Sequence, residues 1–138
     1  MFDIAKNKEF QRYRSPVFKV QLGLEDAAEE IEKDSSVRAV VLKGAGKRAF
    51  CAGADIQDLN RKHERTPSKP FMSVFEHLNI PVVAALQGFT LGGGFELSLG
   101  CHYRVLAENG VVGLPEVNIG LLPGGQGTQR LPRLIGAE

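Results

Sequence analysis

The chain has 138 residues, 43% of them hydrophobic, which is enough for the core of a single domain. Its 17 lysines and arginines balance 16 aspartates and glutamates, so no broad basic field favours nucleic acid as a partner. Two cysteines are too few for a disulfide framework, the three histidines lack metal-ligand spacing with them, and the N-terminal residues MFDIAKNKEFQRYRS lack the apolar core of a signal peptide or membrane span.

Residues 1–20 show no clear hydrophobic periodicity and have no assigned element, which makes them an atypical N-terminus; Val17–Val20 could form a short strand. Residues 21–138 are treated as one unit. The segment 22–33 is predicted to be an amphipathic helix, because apolar residues recur there at helical spacing with acidic residues between them. These apolar residues are Leu24, Ala27, Ala28 and Ile31.

Ala39–Leu42 is a continuous apolar run that predicts a buried parallel strand, and the glycine-rich stretch GAGKRAFCAGAD follows it. A strand followed by such a loop suggests a ligand at the carboxyl end of the strand. A P-loop is excluded, because position 41 is valine and Arg48 occupies the Ser/Thr position of that motif. The match to a dinucleotide fingerprint is weak, because CAGAD does not continue as a long helix.

The middle of the chain alternates loop, helix and strand signals. The polar, basic segment 60–69 predicts a surface loop, and apolar spacing over 71–78 predicts a short helix. A strand over 82–86, a glycine-rich turn, a helix through Cys101 and a strand over 103–106 then predict a βαβ-like unit.

The glycine run Gly92, Gly93 and Gly94 has no packing reason in the sequence, because glycine costs about 0.5–1 kcal/mol against alanine inside a helix. If a helix begins here, its first amides lack intrahelical partners and a ligand oxygen can approach them. That arrangement would form half of an oxyanion hole. The alternative is a tight turn between a strand and a helix.

Two acidic residues are isolated among apolar and small residues. Glu96 is the only charged residue between Ile80 and Cys101, and Glu116 is the only one between Glu108 and Arg130. Loss of hydration would raise the pKa of such carboxyls toward neutrality, where they can act as an acid/base pair. The alternatives are that Glu96 interacts with a helix dipole and that Glu116 points to solvent.

Nucleophilic catalysis by serine or cysteine finds no support. Ser98 lies in ELSLG, which lacks the G-x-S-x-G pattern of a nucleophile elbow. Cys51 and Cys101 have no recognisable base partner and are predicted to be small buried hydrophobic residues.

Three stretches occur in order: GAGKRAFCAGADI, PVVAALQGFTLGGGFELSLGCHYRV and VGLPEVNIGLLPGGQGTQRLPRLIG. Together, over residues 36–136 and with twenty residues from Glu96 to Glu116, they resemble the enoyl-CoA hydratase/isomerase (crotonase) superfamily. The wording GCHYR and GLPE…GLLPG looks most like the hydratase half of peroxisomal bifunctional enzymes. The resemblance implies an α/β crotonase-like fold, a spiral of ββα units, with residues 21–138 as a partial core.

The resemblance also implies hydration of 2-trans-enoyl-CoA to 3-hydroxyacyl-CoA in fatty acid β-oxidation, with 3,2-enoyl-CoA isomerisation as a second activity. It implies no cofactor beyond the coenzyme A of the substrate, and no metal. The residues that match the family's roles are Glu96 and Glu116 as catalytic acids, Ala54 and Gly93 as oxyanion-hole amides, and Ala52 and Asp55 as coenzyme A contacts.

Two departures from the family pattern qualify this expectation. The family's first hairpin is not recognisable in residues 1–20, and the chain stops before the C-terminal helices that close the acyl pocket and help to build trimers. A trimer-type homo-oligomer is expected if those helices are present. The alternative function is a non-catalytic fragment that binds coenzyme A thioesters or pairs with a full-length relative. The resemblance suggests a peroxisomal location, with mitochondrial or cytoplasmic locations as alternatives.

Overall fold

The computed structural model describes residues 17–53 and 69–136. In this part of the chain, three helices and two 3₁₀ turns accompany six short strands. The helices are α1 (Val17–Lys33), α2 (Gly93–Leu99) and α3 (Gly127–Ile135), and the 3₁₀ turns are Phe71–Ser73 and Glu116–Ile119. The strands are β1 (Val40–Lys43), β2 (Ala49–Cys51), β3 (Val82–Leu86), β4 (Phe89–Leu91), β5 (Tyr103–Leu106) and β6 (Val111–Gly113).

The strands form two parallel sheets, in which successive strands along the chain alternate. One sheet has the order β1-β3-β5 and the other has the order β2-β4-β6. Val82 on β3 is in register with Val40 on β1, and Phe89 on β4 is in register with Val111 on β6. The chain passes from β3 to β4 through Gln87 and Gly88, and Gly88 has a φ of +56°. Two strands followed by a helical segment therefore form the repeating unit.

The hydrophobic core lies between α1, the first sheet and the segment that contains Phe75. Strand β3 alternates buried and half-buried residues, and Val82, Ala84 and Leu86 face the core. Phe75 is 1% exposed and packs in the same cluster as Leu24 of α1. None of the helices within residues 17–53 and 69–136 has the length and apolar character needed to cross a membrane.

The first helix confirms the prediction for 22–33 but begins earlier, at Val17. The suggested strand over Val17–Val20 is therefore wrong. Val20 is 40% exposed, so its burial does not explain the extension; the helix instead continues the backbone of the segment whose buried face includes Leu24, and this context overrides the weak β preference of valine.

The three strands of the first sheet occupy the predicted segments, whereas the three-residue strands β2, β4 and β6 had no counterpart in the predictions. The predicted helix over 71–78 is a 3₁₀ turn over Phe71–Ser73 followed by further turns. Its backbone bonds link each amide to the carbonyl three residues earlier, as from Val74 to Phe71. Most of the predicted loop over 60–69 lies outside the described residues.

Candidate active site

Gly92 connects β4 to α2 in a conformation that requires glycine. Its φ of 55° and ψ of −131° are strained for residues with a side chain, and its N–H donates a hydrogen bond to the Gly113 carbonyl oxygen at 2.9 Å. A Cβ atom at this position would lie 3.0 Å from Glu116 Oε1. The backbone at the start of α2 therefore passes directly beside the Glu116 carboxyl group.

The remaining glycines of the run also have neighbours at close range. A Cβ on Gly94 would overlap the carbonyl oxygen of Cys51 in β2, and a Cβ on Gly93 would lie 3.2 Å from Cζ of Phe71. The expectation that no packing reason exists for these glycines is therefore wrong. Gly94 allows α2 to approach the backbone of β2, a contact that the sequence alone does not reveal.

The Gly93 amide is the first N–H of α2. Phe95 and Glu96 donate their amides to the Gly92 carbonyl oxygen, at 2.8 and 3.0 Å, whereas no acceptor within the described residues takes the Gly93 N–H. The loop after β2 lies beside it, because a Cβ on Gly53 would be 3.7 Å from the Gly93 nitrogen. An unpaired amide at a helix start is a hydrogen-bond donor for a ligand oxygen.

The other predicted residues of this loop are only partly described. Ala52 is exposed beside the half-buried Gly53, which has a φ of +100°. Ala54 and Asp55 follow Gly53 in the sequence but lie outside the described residues.

Glu96 is 3% exposed, and the segment that leads into α3 contacts its carboxylate. The Gly127 N–H donates to Oε1 at 2.8 Å, and the nearby Gly125 amide also favours the charged carboxylate. A Cβ on Gly125 would overlap Oε2, and a Cβ on Gly127 would lie 2.9 Å from Oε1. Both glycines therefore leave room for the carboxylate.

Burial raises the pKa of Glu96 above its ordinary value, and the negative charge of Glu116 adds to this rise. The amides of Gly127 and Gly125 act in the opposite direction, because they stabilise the charged form. The direction agrees with the expectation for an isolated carboxyl. The alternative, that Glu96 interacts with a helix dipole, is partly right. Glu96 does meet amides at the start of a helix, but this helix is α3.

Glu116 begins the 3₁₀ turn Glu116–Ile119. The turn ends at Gly120, whose φ of 73° is left-handed, and the Leu121 N–H donates to the Glu116 carbonyl oxygen at 3.0 Å. The side chain is half-buried, and its Oε2 atom is buried without a hydrogen-bond partner among the described residues. Glu116 thus does not simply point to solvent.

The structure therefore brings together Glu96, Glu116 and the Gly93 amide at the start of α2. Gly125 and Gly127 also belong to the site but were not predicted from the sequence. The pattern GGQG before a helix is the signal that could have indicated a glycine turn there.

Cys101 is buried, and burial raises the pKa of its thiol to about 12, which makes it a poor nucleophile. Within residues 17–53 and 69–136, no group of three or more His, Cys, Asp or Glu side chains is placed to hold a metal ion.

The profile of the family Enoyl-CoA hydratase/isomerase matches residues 19–138. The chain belongs to this family. The crystal structure of an enoyl-CoA hydratase from Bacillus anthracis superposes with a TM-score of 0.76 at 41% identity, covering 86% of this chain and 48% of that one. An enoyl-CoA hydratase/carnithine racemase from Magnetospirillum magneticum superposes with a TM-score of 0.73 at 30% identity, covering 86% and 47%. The predicted α/β crotonase-like fold is confirmed.

Among curated relatives, the fatty acid oxidation complex subunit alpha of Shewanella oneidensis is 50% identical over 116 residues, which cover 78% of this chain and 16% of the relative. The counterpart from Shewanella baltica is 47% identical over 129 residues, covering 86% and 18%. This chain thus spans less than a fifth of these relatives and about half of the solved structures. The relatives are bacterial, so the resemblance to peroxisomal enzymes in particular, and a peroxisomal location, find no support.

Proposed function

We propose that this site hydrates a 2-trans-enoyl-CoA thioester to the 3-hydroxyacyl-CoA thioester in fatty acid oxidation. The observation that carries the proposal is the proximity of two carboxyl groups: Glu116 lies beside the glycine turn that precedes α2, and its charge acts on Glu96 within α2. One of them is buried with a raised pKa, and the other has an oxygen without a hydrogen-bond partner among the described residues. Hydration requires one group that activates water and one that delivers a proton.

In the proposed reaction, Glu96 accepts a proton from water while the water oxygen bonds to the β-carbon of the enoyl group. Each carboxylate oxygen has two lone pairs, so Glu96 can hold water while it accepts the Gly125 and Gly127 amides. Glu116 then delivers a proton to the α-carbon. Return of the proton from Glu96 to Glu116 through solvent completes the cycle.

The negative charge that develops on the thioester oxygen needs hydrogen-bond donors. The Gly93 N–H is available because no acceptor among the described residues takes it, and Gly53, which precedes Ala54 in the sequence, lies beside it. We assign the second donor to the Ala54 amide. Two such amides would form the oxyanion hole. Ala52 and Asp55 are proposed to contact the coenzyme A moiety, and the reaction needs no further cofactor.

A second activity, migration of a 3-enoyl double bond to the 2-position, is supported by the Glu116 side chain. Isomerisation needs a single group that removes a proton from one carbon and returns it to another, and it consumes no water. Glu116 Oε2, which has no hydrogen-bond partner among the described residues, is suited to this role. The alternative function is a fragment that binds coenzyme A thioesters without turnover, and it predicts binding without hydration.

The bacterial relatives favour a cytoplasmic location.

The test compares Glu96→Gln and Glu116→Gln with the parent chain, by the loss of the enoyl absorbance of crotonoyl-CoA. Each variant should lose about 10²–10⁴-fold in turnover while its affinity for a saturated acyl-CoA changes little. Glu96→Gln should impair isomerisation of a 3-enoyl-CoA less than hydration. Near-parent hydration in either variant contradicts the assignment. A parent chain that binds the thioester without hydrating it supports the non-catalytic alternative.

A further inference from the structure

The two amides that contact Glu96 flank a residue with an unusual backbone. Gln126 lies between Gly125 and Gly127 and has a φ of 71°, a left-handed value that no other non-glycine residue adopts in residues 17–53 and 69–136. Such a conformation is costly for residues with a Cβ and persists only where surrounding contacts hold it. The position of both amides therefore depends on whatever holds Gln126.

The amides of Gln129 and Arg130 donate to the Gln126 carbonyl oxygen, and the side chain of Arg130, in the first turns of α3, provides a further contact. Its Nε donates to Gln126 Oε1 at 3.0 Å. Its Nη1 and Nη2 donate to the two carboxylate oxygens of Glu76, both at 2.8 Å, and Nη2 lies 3.5 Å from Ser73 Oγ. A paired, two-point contact of this kind fixes the orientation of the guanidinium group as well as its position.

The segment that carries Glu76 reaches the site from its other side. A Cβ on Gly93 would lie 3.2 Å from the Phe71 ring, and a Cβ on Gly125 would lie 2.8 Å from Met72 Cε. Glu76 follows these residues within the same series of turns. Arg130 therefore connects the beginning of α3 to the segment that packs against both the start of α2 and Gly125.

We propose that Arg130 is a positioning residue, which ties Gln126 to Glu76 and thereby holds the Gly125 and Gly127 amides against the Glu96 carboxylate. The inference rests on the proposed function for its effect on turnover, because Glu96 is the residue that activates water there. Its effect on Glu96 itself does not depend on that function. Arg130 acts through the backbone and need not touch the substrate.

An ion pair that only adds stability is the competing explanation, and the titration of Glu96 distinguishes the two. The groups that act on the Glu96 pKa are the Glu116 carboxyl, from the turn after β6, and the amides of Gly125 and Gly127, from the start of α3. The amides lower that pKa. If Arg130 holds them in place, its loss weakens both hydrogen bonds and the pKa of Glu96 rises further.

The experiment follows the side-chain carboxyl carbons by carbon-13 NMR without substrate and identifies Glu96 with the Glu96→Gln variant. Arg130→Gln is compared with Arg133→Gln, a matched change on the same helix. Among the described residues, Arg133 Nη1 donates only within α3, to the Gln129 carbonyl oxygen at 2.6 Å and to Gln129 Oε1 at 3.0 Å. We expect the Glu96 titration to move to higher pH in Arg130→Gln and to remain at the parent position in Arg133→Gln.

Hydration adds a second readout. In Arg130→Gln, the acidic limb of the pH–rate profile should move upward, and turnover below the midpoint should fall about tenfold, as for one lost hydrogen bond to a charged group. Arg130→Lys keeps the charge but not the two-point geometry, so it should give an intermediate titration. Glu76→Gln should shift Glu96 in the same direction as Arg130→Gln.

An unchanged Glu96 titration in folded Arg130→Gln overturns the proposal, even if the variant unfolds more easily. If Arg130→Gln fails to fold, Arg130→Lys and Glu76→Gln decide, and an unchanged titration in both overturns it. A shifted titration in a chain without hydratase activity supports the positioning role and contradicts only the proposed function. The two failures are therefore distinguishable.

Discussion

The two acids occupy surroundings that differ in kind. Glu96 belongs to an inner region, which consists of α2 and residues 125–127, where the Glu96 side chain is 3% exposed and the amides of Gly125 and Gly127 act on its carboxylate. Glu116 begins an outer segment, residues 116–122, where Leu122 is 78% exposed and Val117 is 65% exposed. Packing on several sides thus fixes Glu96, whereas a single 3₁₀ turn and the adjacent Gly92 place Glu116. Substitutions in the inner region should therefore have larger consequences.

Apart from loss of either carboxyl group, the largest effect is expected at Gly93, where the inner region begins. Gly93→Pro removes the amide proposed to bind the thioester oxygen, and proline is tolerated at the first residue of a helix. Gly93→Ala is the matched control, because its Cβ meets the same Phe71 ring but the N–H remains. Turnover of the proline variant should be about 10²–10³-fold below that of the alanine variant. Equal turnover in two folded variants would remove Gly93 from the oxyanion hole.

The next effect concerns adjacent glycines that differ in their contacts. A Cβ on Gly125 would overlap the Glu96 carboxylate and lie 2.8 Å from Met72 Cε, whereas one on Gly124 would meet only the Leu122 carbonyl oxygen, at 3.9 Å. Gly125→Ala should lower the free energy of unfolding by about 1–3 kcal/mol, the usual cost of overpacking. Gly124→Ala should change it by less than about 0.5 kcal/mol. Urea unfolding measures both, and equal costs would show that the inner region is not tightly packed there.

A smaller effect is expected in the pH dependence of stability. Because the folded-state pKa of Glu96 is raised, burial of its charge costs stability above that pKa, and the cost disappears as the pH falls toward the ordinary value of 4.5. The free energy of unfolding of the parent chain, measured relative to that of Glu96→Gln, should therefore increase as the pH falls through this window. Two hydrogen bonds from Ser36 lower the pKa of Asp34. The free energy of unfolding of the parent chain, measured relative to that of Asp34→Asn, should therefore decrease as the pH falls through that pKa. Parallel pH profiles for the parent chain and Glu96→Gln would contradict the raised pKa.

The smallest effect is expected in the outer segment. Leu122→Ser replaces a side chain that is 78% exposed, so the free energy of unfolding should change by less than about 0.5 kcal/mol. Thermal unfolding monitored by circular dichroism checks this. A loss above 1 kcal/mol, as for a core residue, would show that the outer segment is covered in solution and would end the contrast between the two regions.

Local sequence patterns predicted part of this architecture and part of the site. Strand β3 was predictable because it is a short continuous apolar run, and helix α1 was predictable because its buried residues follow the apolar spacing of the sequence. Glu96 was identifiable because it is the one charge in a buried helix. Its partner Gly127 was not, because the hydrogen bond joins residues 31 positions apart. The three-residue strands such as β4 are too short to show alternation.

The all-parallel pairing has a consequence for how the chain is made. Val40 on β1 pairs with Val82 on β3, about 40 residues later, so β1 cannot find its partner until that stretch has left the ribosome. At about 5–20 residues per second, this interval lasts roughly 2–8 seconds. During synthesis, the apolar face of α1 and the residues of β1 remain open to solvent. The nascent chain is therefore a candidate client for chaperones at this stage, before either sheet exists.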